Sequence, residues 1–496
     1  MKFILFAALF LFFNWSFAQM TFDSNFDNGR LDSVMQDGNL YTLSPKSYLH
    51  FRITGTLNQL PLFRVFQGND YIFRNGHRMV YRNEGESDWA YFENGYVSGN
   101  YYYFNNTMPF ESDTAYIAYW FPYTFGQMQS YFTQISNHPS VQSASIAGYS
   151  YLNRPIYYFS ITDTSVPLNS KKHVVVVARQ HSEESLGSHI IKGMSNYLLY
   201  SNDSTAAYLT QKTIVHFYQM ANSDGVYLGQ GYGGPVYLNL NRYWLQGTPS
   251  GGNPSDCIEA DVLRQSIWDN TGGQAEYGFD LHSHPGHIGQ YYWWGLLSGP
   301  TPEKVEAAQL LVDRIYHHDS IDHGGNAIVA PQIAQDVWST PGPYADYWLC
   351  ETLNAVSFTL EPGSVPPQTL QRIQDVGISI CKGLNDVIMN PITNLAQNTH
   401  LTLSETFRLY PNFPNPFNSS TTIRYHLSEL SSVVLKIYSL HGQEIKTLVN
   451  GIQEVGEKYI LWHGKNSNNQ KVSTGIYVYC LEVNGRTKSK KMLYLR

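Results

Sequence analysis

The run His173-Val174-Val175-Val176-Val177-Ala178-Arg179 constrains the fold of this chain more than any other stretch. Its consecutive valines leave no polar face, so a strand built from them must be covered on both sides. The covering helix reads out directly afterwards. Ile190, Met194, Tyr197 and Leu198 recur at helical spacing within 188–200. A second strand follows at 214–219. Thr301 and Pro302 then open another helix, as N-cap and first-turn residue, with Val305, Ala308, Val312 and Ile315 as its buried stripe. A late strand occupies 355–360. Strands alternating with helices predict an α/β domain with a mixed sheet over residues 111–395.

The 496 residues exceed what one ordinary core organises. Residues 19–110 read as an N-terminal β-sandwich, with short aromatic or alternating runs at 48–53 and 100–104 between Gly, Asn and Asp clusters. A polar linker spans 396–405. Beyond it, residues 406–496 carry short strands at 422–425, 433–438, 459–462 and 476–483, punctuated by Gly442, Gly456, Gly464 and Gly475, which predicts an Ig-like C-terminal β-sandwich. Lys2, the apolar run 4–13 and the small residues Ser16 and Ala18 read as a signal peptide cleaved after residue 18. Export of the chain to the cell surface or beyond is therefore expected, with no stable membrane span after leader removal. The net charge of −7 and the lack of a basic stripe over the main body argue against a nucleic-acid partner. Cys257, Cys350, Cys381 and Cys480 lack CxxC spacing, so they read as buried thiols, with room for one bridge the sequence does not assign.

Three of the strands end in groups suited to a divalent cation. The valine run leads into His181-Ser182-Glu183-Glu184. Tyr277-Gly278-Phe279-Asp280-Leu281-His282 ends in His, and Ala355-Val356-Ser357-Phe358-Thr359-Leu360-Glu361 ends in a carboxylate. A lone His-x-x-Glu is common and reads equally well as a solvated helix start. Two His and one carboxylate leave a coordination position for water, as a catalytic zinc site requires, and a further Glu can take that water's proton. The strand ends are also where open α/β sheets place their sites.

With Ser112–Ala118, Pro122-Tyr123-Thr124, Ala178–Glu184, Met220–Val226 and Leu240-Asn241-Arg242-Tyr243-Trp244, the sequence resembles the zinc metallocarboxypeptidases, in the cytosolic-carboxypeptidase-like branch with an N-terminal β-domain. The resemblance covers roughly residues 45–390. It implies Zn2+ bound by His181, Glu184 and His282, with Glu361 as the general base and a peptide or protein as substrate. Asn241 and Arg242 would hold the substrate's terminal carboxylate, for which the guanidinium fork is suited. His284 and His287 compete with His282 as ligand, and Asp280 is placed to orient an imidazole. His189, His317, His318 and His323 are read as residues without a role.

The pattern departs from the family at Tyr232, where an Arg usually polarises the scissile carbonyl. The Tyr232 hydroxyl or another Arg would have to serve there. Ser339 falls at the mobile-tyrosine position, with Tyr344 and Tyr347 as substitutes. Asp346 falls where side-chain preference is set, so a substrate ending in Lys or Arg is expected. The departure at Tyr232 also motivates a second reading, a cell-surface binding protein on a carboxypeptidase fold with weakened chemistry. Finally, the 410–418 segment, Thr421–Tyr425, Gly475–Tyr479 and the ending Lys490–Arg496 resemble the sorting domain of type IX secretion, which implies that machinery as a partner.

Overall fold

The computed structural model describes residues 20–44, 48–66, 77–230, 238–245, 256–283, 291–295, 302–334, 344–361, 369–389, 407–410, 412, 415, 417–427, 430–439, 442–454, 456–484 and 486–495. The expected signal peptide, linker and Thr301 cap lie outside these residues, as do Tyr232, His284, His287 and Ser339. The chain divides into two compact units near residue 392.

The first unit is built on an eight-stranded mixed sheet. Its strands run in the order Val141–Tyr149, Pro155–Ile161, Thr213–Tyr218, Lys172–Ala178, Tyr277–Leu281, Val356–Glu361, Tyr291–Gly295, Val329–Ala334. The valine strand is central and buried from Val174 to Ala178, as its composition demands. It pairs in parallel with Thr213–Tyr218 on one side and Tyr277–Leu281 on the other. Tyr277–Leu281 in turn pairs in parallel with Val356–Glu361. The register aligns Ala178 with Leu281 and Leu281 with Leu360. The residues that follow these three positions therefore lie along one rim of the sheet.

Helices cover the sheet: α1 (Phe125–Ile135), α2 (Ser185–Tyr200), α3 (Ser204–Lys212), α4 (Ser223–Tyr227), α5 (Ile258–Thr271), α6 (Pro302–Asp322), α7 (Ala345–Leu353) and α8 (Leu370–Met389). The α1 start carries a complete capping box, Thr124 with Gln127. The expected stripe on α2 is buried at Ile190, Met194, Tyr197 and Leu198. Ala308, Val312 and Ile315 of α6 are buried likewise.

The N-terminal β-region consists of two five-stranded sheets. Phe51 of one meets Phe63 of the other at 6.5 Å between ring centroids, and Phe22 meets Tyr41 at 5.4 Å. The region extends past the expected boundary at 110, because Thr114–Ala118 pairs with both His50–Thr54 and Val80–Asn83. Its core runs without a break into that of the α/β sheet, so the two make one unit.

The second unit is a sandwich of a three-stranded and a four-stranded antiparallel sheet. Thr421–Leu427 alternates strictly, with Thr421, Ile423, Tyr425 and Leu427 buried. All four cysteines are free thiols. Among the described residues no helix is long and apolar enough to cross a membrane.

Candidate metal centre

The shared rim brings His181, Glu184 and His282 together. One ligand atom from each lies within 4.8 Å of the others, and all three side chains are buried. His282 is the first residue past its strand. His181 and Glu184 sit on the turn that carries the valine strand into α2, whose N-cap position Glu184 occupies, where the helix dipole favours a carboxylate. Arg179 begins that turn in the left-handed region, φ +62. Its buried guanidinium donates to the Ser182 carbonyl at 2.6 and 2.9 Å and to the Tyr123 carbonyl at 3.1 Å, which pins the turn.

The imidazoles are oriented from behind. His181 Nε2 meets Asn239 Oδ1 at 3.0 Å, and His282 Nε2 meets Asp280 Oδ2 at 2.9 Å. Both Nδ1 atoms face Glu184, at 2.8 Å from Oε1 and 2.7 Å from Oε2. With Nε2 donating backwards, a neutral ring presents its Nδ1 lone pair to whatever occupies the centre. Asp280 is itself held by Gln180 Nε2 at 2.6 Å, and Gln180 Oε1 accepts from Trp244 Nε1 at 2.5 Å. Asn241 completes this layer. Its Oδ1 accepts from the Ala345 N–H at 3.0 Å, and its Nδ2 lies 3.1 Å from His282 Nε2.

Burial opposes charge on both imidazoles, but the neighbouring carboxylates outweigh it. Glu184 holds His181 above its ordinary range, and Asp280 with Glu184 holds His282 well above it. Burial also opposes charge on Glu184, yet the two imidazoles bring it down to about 2. For Glu361, burial pushes the carboxyl up to about 8, with Glu184 and Asp280 adding and His282 and His181 opposing. Its Oε2 is sealed from solvent and has no hydrogen-bond partner among the described residues.

This donor set fits zinc: two nitrogens and a carboxylate converging from buried positions, with outer partners already in place and an uncommitted carboxyl beside them. Metal and protons then compete for the same lone pairs. In the metal-free protein the raised His181 and His282 contribute stability that is full below their unfolded pKa near 6.5 and is lost as pH rises through the higher folded values. Zinc stabilisation runs the other way. The thermal shift produced by zinc should therefore be larger at pH 8 than at pH 6, and chelator competition should show affinity at least about ten-fold weaker at pH 6.

Arg242 is half-buried beside the centre. Its Nη1 donates to the Asn241 carbonyl at 2.9 Å, and its guanidinium lies over the Tyr344 ring at 4.7 Å. Tyr344 and Tyr347 are both buried, with Cys350, at the start of α7. Asp346 sits in the first turn of α7. It is 2% exposed, takes the Tyr347 N–H at 2.8 Å, and is pushed up to about 7 by burial and Asp280. Asn239 and Gln180 are parts of the site's support that no sequence signal singled out. Asn239 stands two residues before Asn241, a spacing without meaning until the turn is folded.

The zinc carboxypeptidase family profile matches residues 128–287, and that of the FlgD Ig-like domain matches 417–488. Human cytosolic carboxypeptidase 2 is 26% identical over 267 residues, covering 45% of this chain and 29% of that protein. Cytosolic carboxypeptidase 6 of Caenorhabditis elegans is 25% identical over 341 residues, 61% of this chain and 71% of its own. The chain thus spans less than a third of the human relative. A metallo-carboxypeptidase from Burkholderia cenocepacia superposes with TM-score 0.63 at 18% identity, covering 75% of this chain and 100% of that one. One from Pseudomonas aeruginosa, in complex with (2-guanidinoethylmercapto)succinic acid, does so with TM-score 0.64 at 17% identity, covering 74% and 99%. At these identities the likeness establishes the fold.

Proposed function

We propose that the chain is an exported metallocarboxypeptidase that removes C-terminal residues from peptides or proteins, a reading supported by the match of the zinc carboxypeptidase profile to residues 128–287. The observation that carries this reading is the convergence of His181, Glu184 and His282 on one buried point. A zinc ion held by these three supplies Lewis acidity, making water a usable nucleophile at neutral pH and polarising the scissile carbonyl. The chain's own residues supply the rest. Glu361, with its uncommitted Oε2, accepts the proton of the attacking water and returns it to the leaving amine. Asp280 and Asn239 keep both rings in the orientation that exposes Nδ1. Arg242 pairs with the terminal carboxylate of the substrate, and this anchoring restricts cleavage to the last peptide bond.

Matched peptides with a free or an amidated C-terminus, followed by mass spectrometry with and without a chelator, test the proposal. One-residue trimming of the free acid alone, abolished by the chelator, is the expected result. Trimming of both forms at equal rates would remove the role given to Arg242. Arg242→Lys, which keeps charge but loses the fork, should raise KM by about ten-fold with kcat nearly unchanged.

Export would use the leader at 1–18 and the C-terminal domain at 406–496 as a type IX sorting signal, by resemblance of the 410–418 segment and the basic strand at the chain's end. Deletion of 406–496 should leave the enzyme inside the cell envelope; continued release into the medium would rule the sorting role out.

A further inference from the structure

We propose that Asn28, in the N-terminal β-region, is a positioning residue for the metal centre, acting through the turn that follows α4. The inference rests on the carboxypeptidase reading and gives the N-terminal region a part in it. Asn28 is fully buried and left-handed, φ +67, a conformation Asn tolerates. Its polar groups are used on both sides of the boundary. Toward the α/β domain, its N–H donates to the Tyr227 carbonyl at 3.0 Å and its Nδ2 to the Val226 carbonyl at 2.9 Å. Toward its own region, its Oδ1 accepts from Tyr48 OH at 3.0 Å and its carbonyl meets His50 Nδ1 at 3.2 Å. Asp27 beside it accepts from the Phe125 N–H at 3.2 Å and the Gly126 N–H at 2.5 Å, capping α1 from a distant part of the chain.

The contact is close enough to transmit position. Gly229 has φ +59, and a Cβ there would come to 2.4 Å from the Gly29 carbonyl oxygen, so the two turns meet backbone to backbone. One residue further on, the Gln230 carbonyl accepts from Ser182 Oγ. Ser182 lies between the ligands His181 and Glu184. The same segment is tied in a second place: Asn222 Nδ2 donates to the Gln180 carbonyl at 3.3 Å, and Asn222 Oδ1 accepts from the Gly225 N–H at 2.9 Å. A shift of Val226 and Tyr227 is thus passed through Gln230 and Asn222 to both flanks of the ligand turn. Burying four polar groups of one side chain and its backbone between two sheets is costly unless all are satisfied, and here all are.

The test uses the full chain and three variants. Asn28→Asp keeps the acceptor for Tyr48 and sets an oxygen against the Val226 carbonyl. Asn28→Gly keeps the left-handed turn and removes only the side chain, which covers the case in which the first variant does not fold. Phe63→Leu, in the N-terminal core where the ring meets Tyr41, Phe51, Phe92 and Phe104, supplies a matched loss of Tm. We expect zinc Kd to rise about ten-fold in the Asn28 variants, as for loss of an outer-shell partner. Their kcat should fall with KM within about two-fold, and hydrogen exchange at 222–230 should quicken. Phe63→Leu should change none of these at equal Tm. Asn28 variants with zinc Kd and kcat within about two-fold of the parent, or a Phe63→Leu variant with the same losses, would overturn the proposal. If the parent protein trims no peptide at all, the carboxypeptidase reading fails, while the zinc Kd and exchange measurements still decide the role of Asn28.

Discussion

Replacing Glu361 by Gln should leave zinc binding intact and cut peptide turnover by roughly 10²- to 10⁴-fold, the range that a positioned acid–base group contributes. The two effects separate because Glu361 stands outside the His181–Glu184–His282 group. Gln has the same shape, so packing at the end of the Val356–Glu361 strand is preserved, and the variant lacks only the ability to take and return a proton. Its neutrality even favours folding, since burial already pushes the Glu361 carboxyl up to about 8 in the metal-free site. The measurement is zinc stoichiometry together with kcat on a peptide that the parent trims. Full zinc with undiminished turnover would remove Glu361 from the chemistry. Full zinc in a parent protein that turns over no peptide would instead favour the binding-protein reading.

Glu184→Ala is the second large effect. Glu184 touches both imidazole Nδ1 atoms, at 2.8 and 2.7 Å. Its loss removes a ligand and the negative charge that makes a dication tolerable in a buried place. Zinc Kd should rise by more than the 10- to 100-fold typical of outer-shell losses, and turnover should fall to the level of the chelated parent. Asp280→Asn is the graded comparison: it disturbs the orientation of His282 without removing a ligand, and should fall inside that 10- to 100-fold range. If the Asp280 variant lost more zinc than the Glu184 variant, the assignment of first and outer partners would be wrong. Dialysis against a weak chelator followed by metal analysis reads both.

Much of this was legible in the chain. The unbroken valines of 174–177 can only be a strand covered on both faces, and the parallel neighbours follow from the helices between strands. His181, Glu184, His282 and Glu361 announced themselves because each ends, or closely follows, an apolar run. What stayed hidden was the support. Gln180, Asn239 and Trp244 meet the site through contacts that are long in sequence, and Asn28 lies across a boundary placed between two regions. Thr114–Ala118 lies past residue 110 in sequence yet pairs with His50–Thr54 and Val80–Asn83, a long-range pairing that local sequence does not reveal. Counting from Glu361 puts Asp346 at the specificity position, but counting says nothing of burial, and the side chain lies buried in the first turn of α7.

The alignment of Ala178, Leu281 and Leu360 has a practical corollary. A strand advances about 3.4 Å per residue and turns alternate side chains to opposite faces. A slip of one residue between neighbours would carry His282 or Glu361 away by that step and point it elsewhere. Affinity for the cation is therefore a ruler laid across the three strands. A simple titration can report whether a variant, or a refolded sample, has recovered its pairing to the nearest residue.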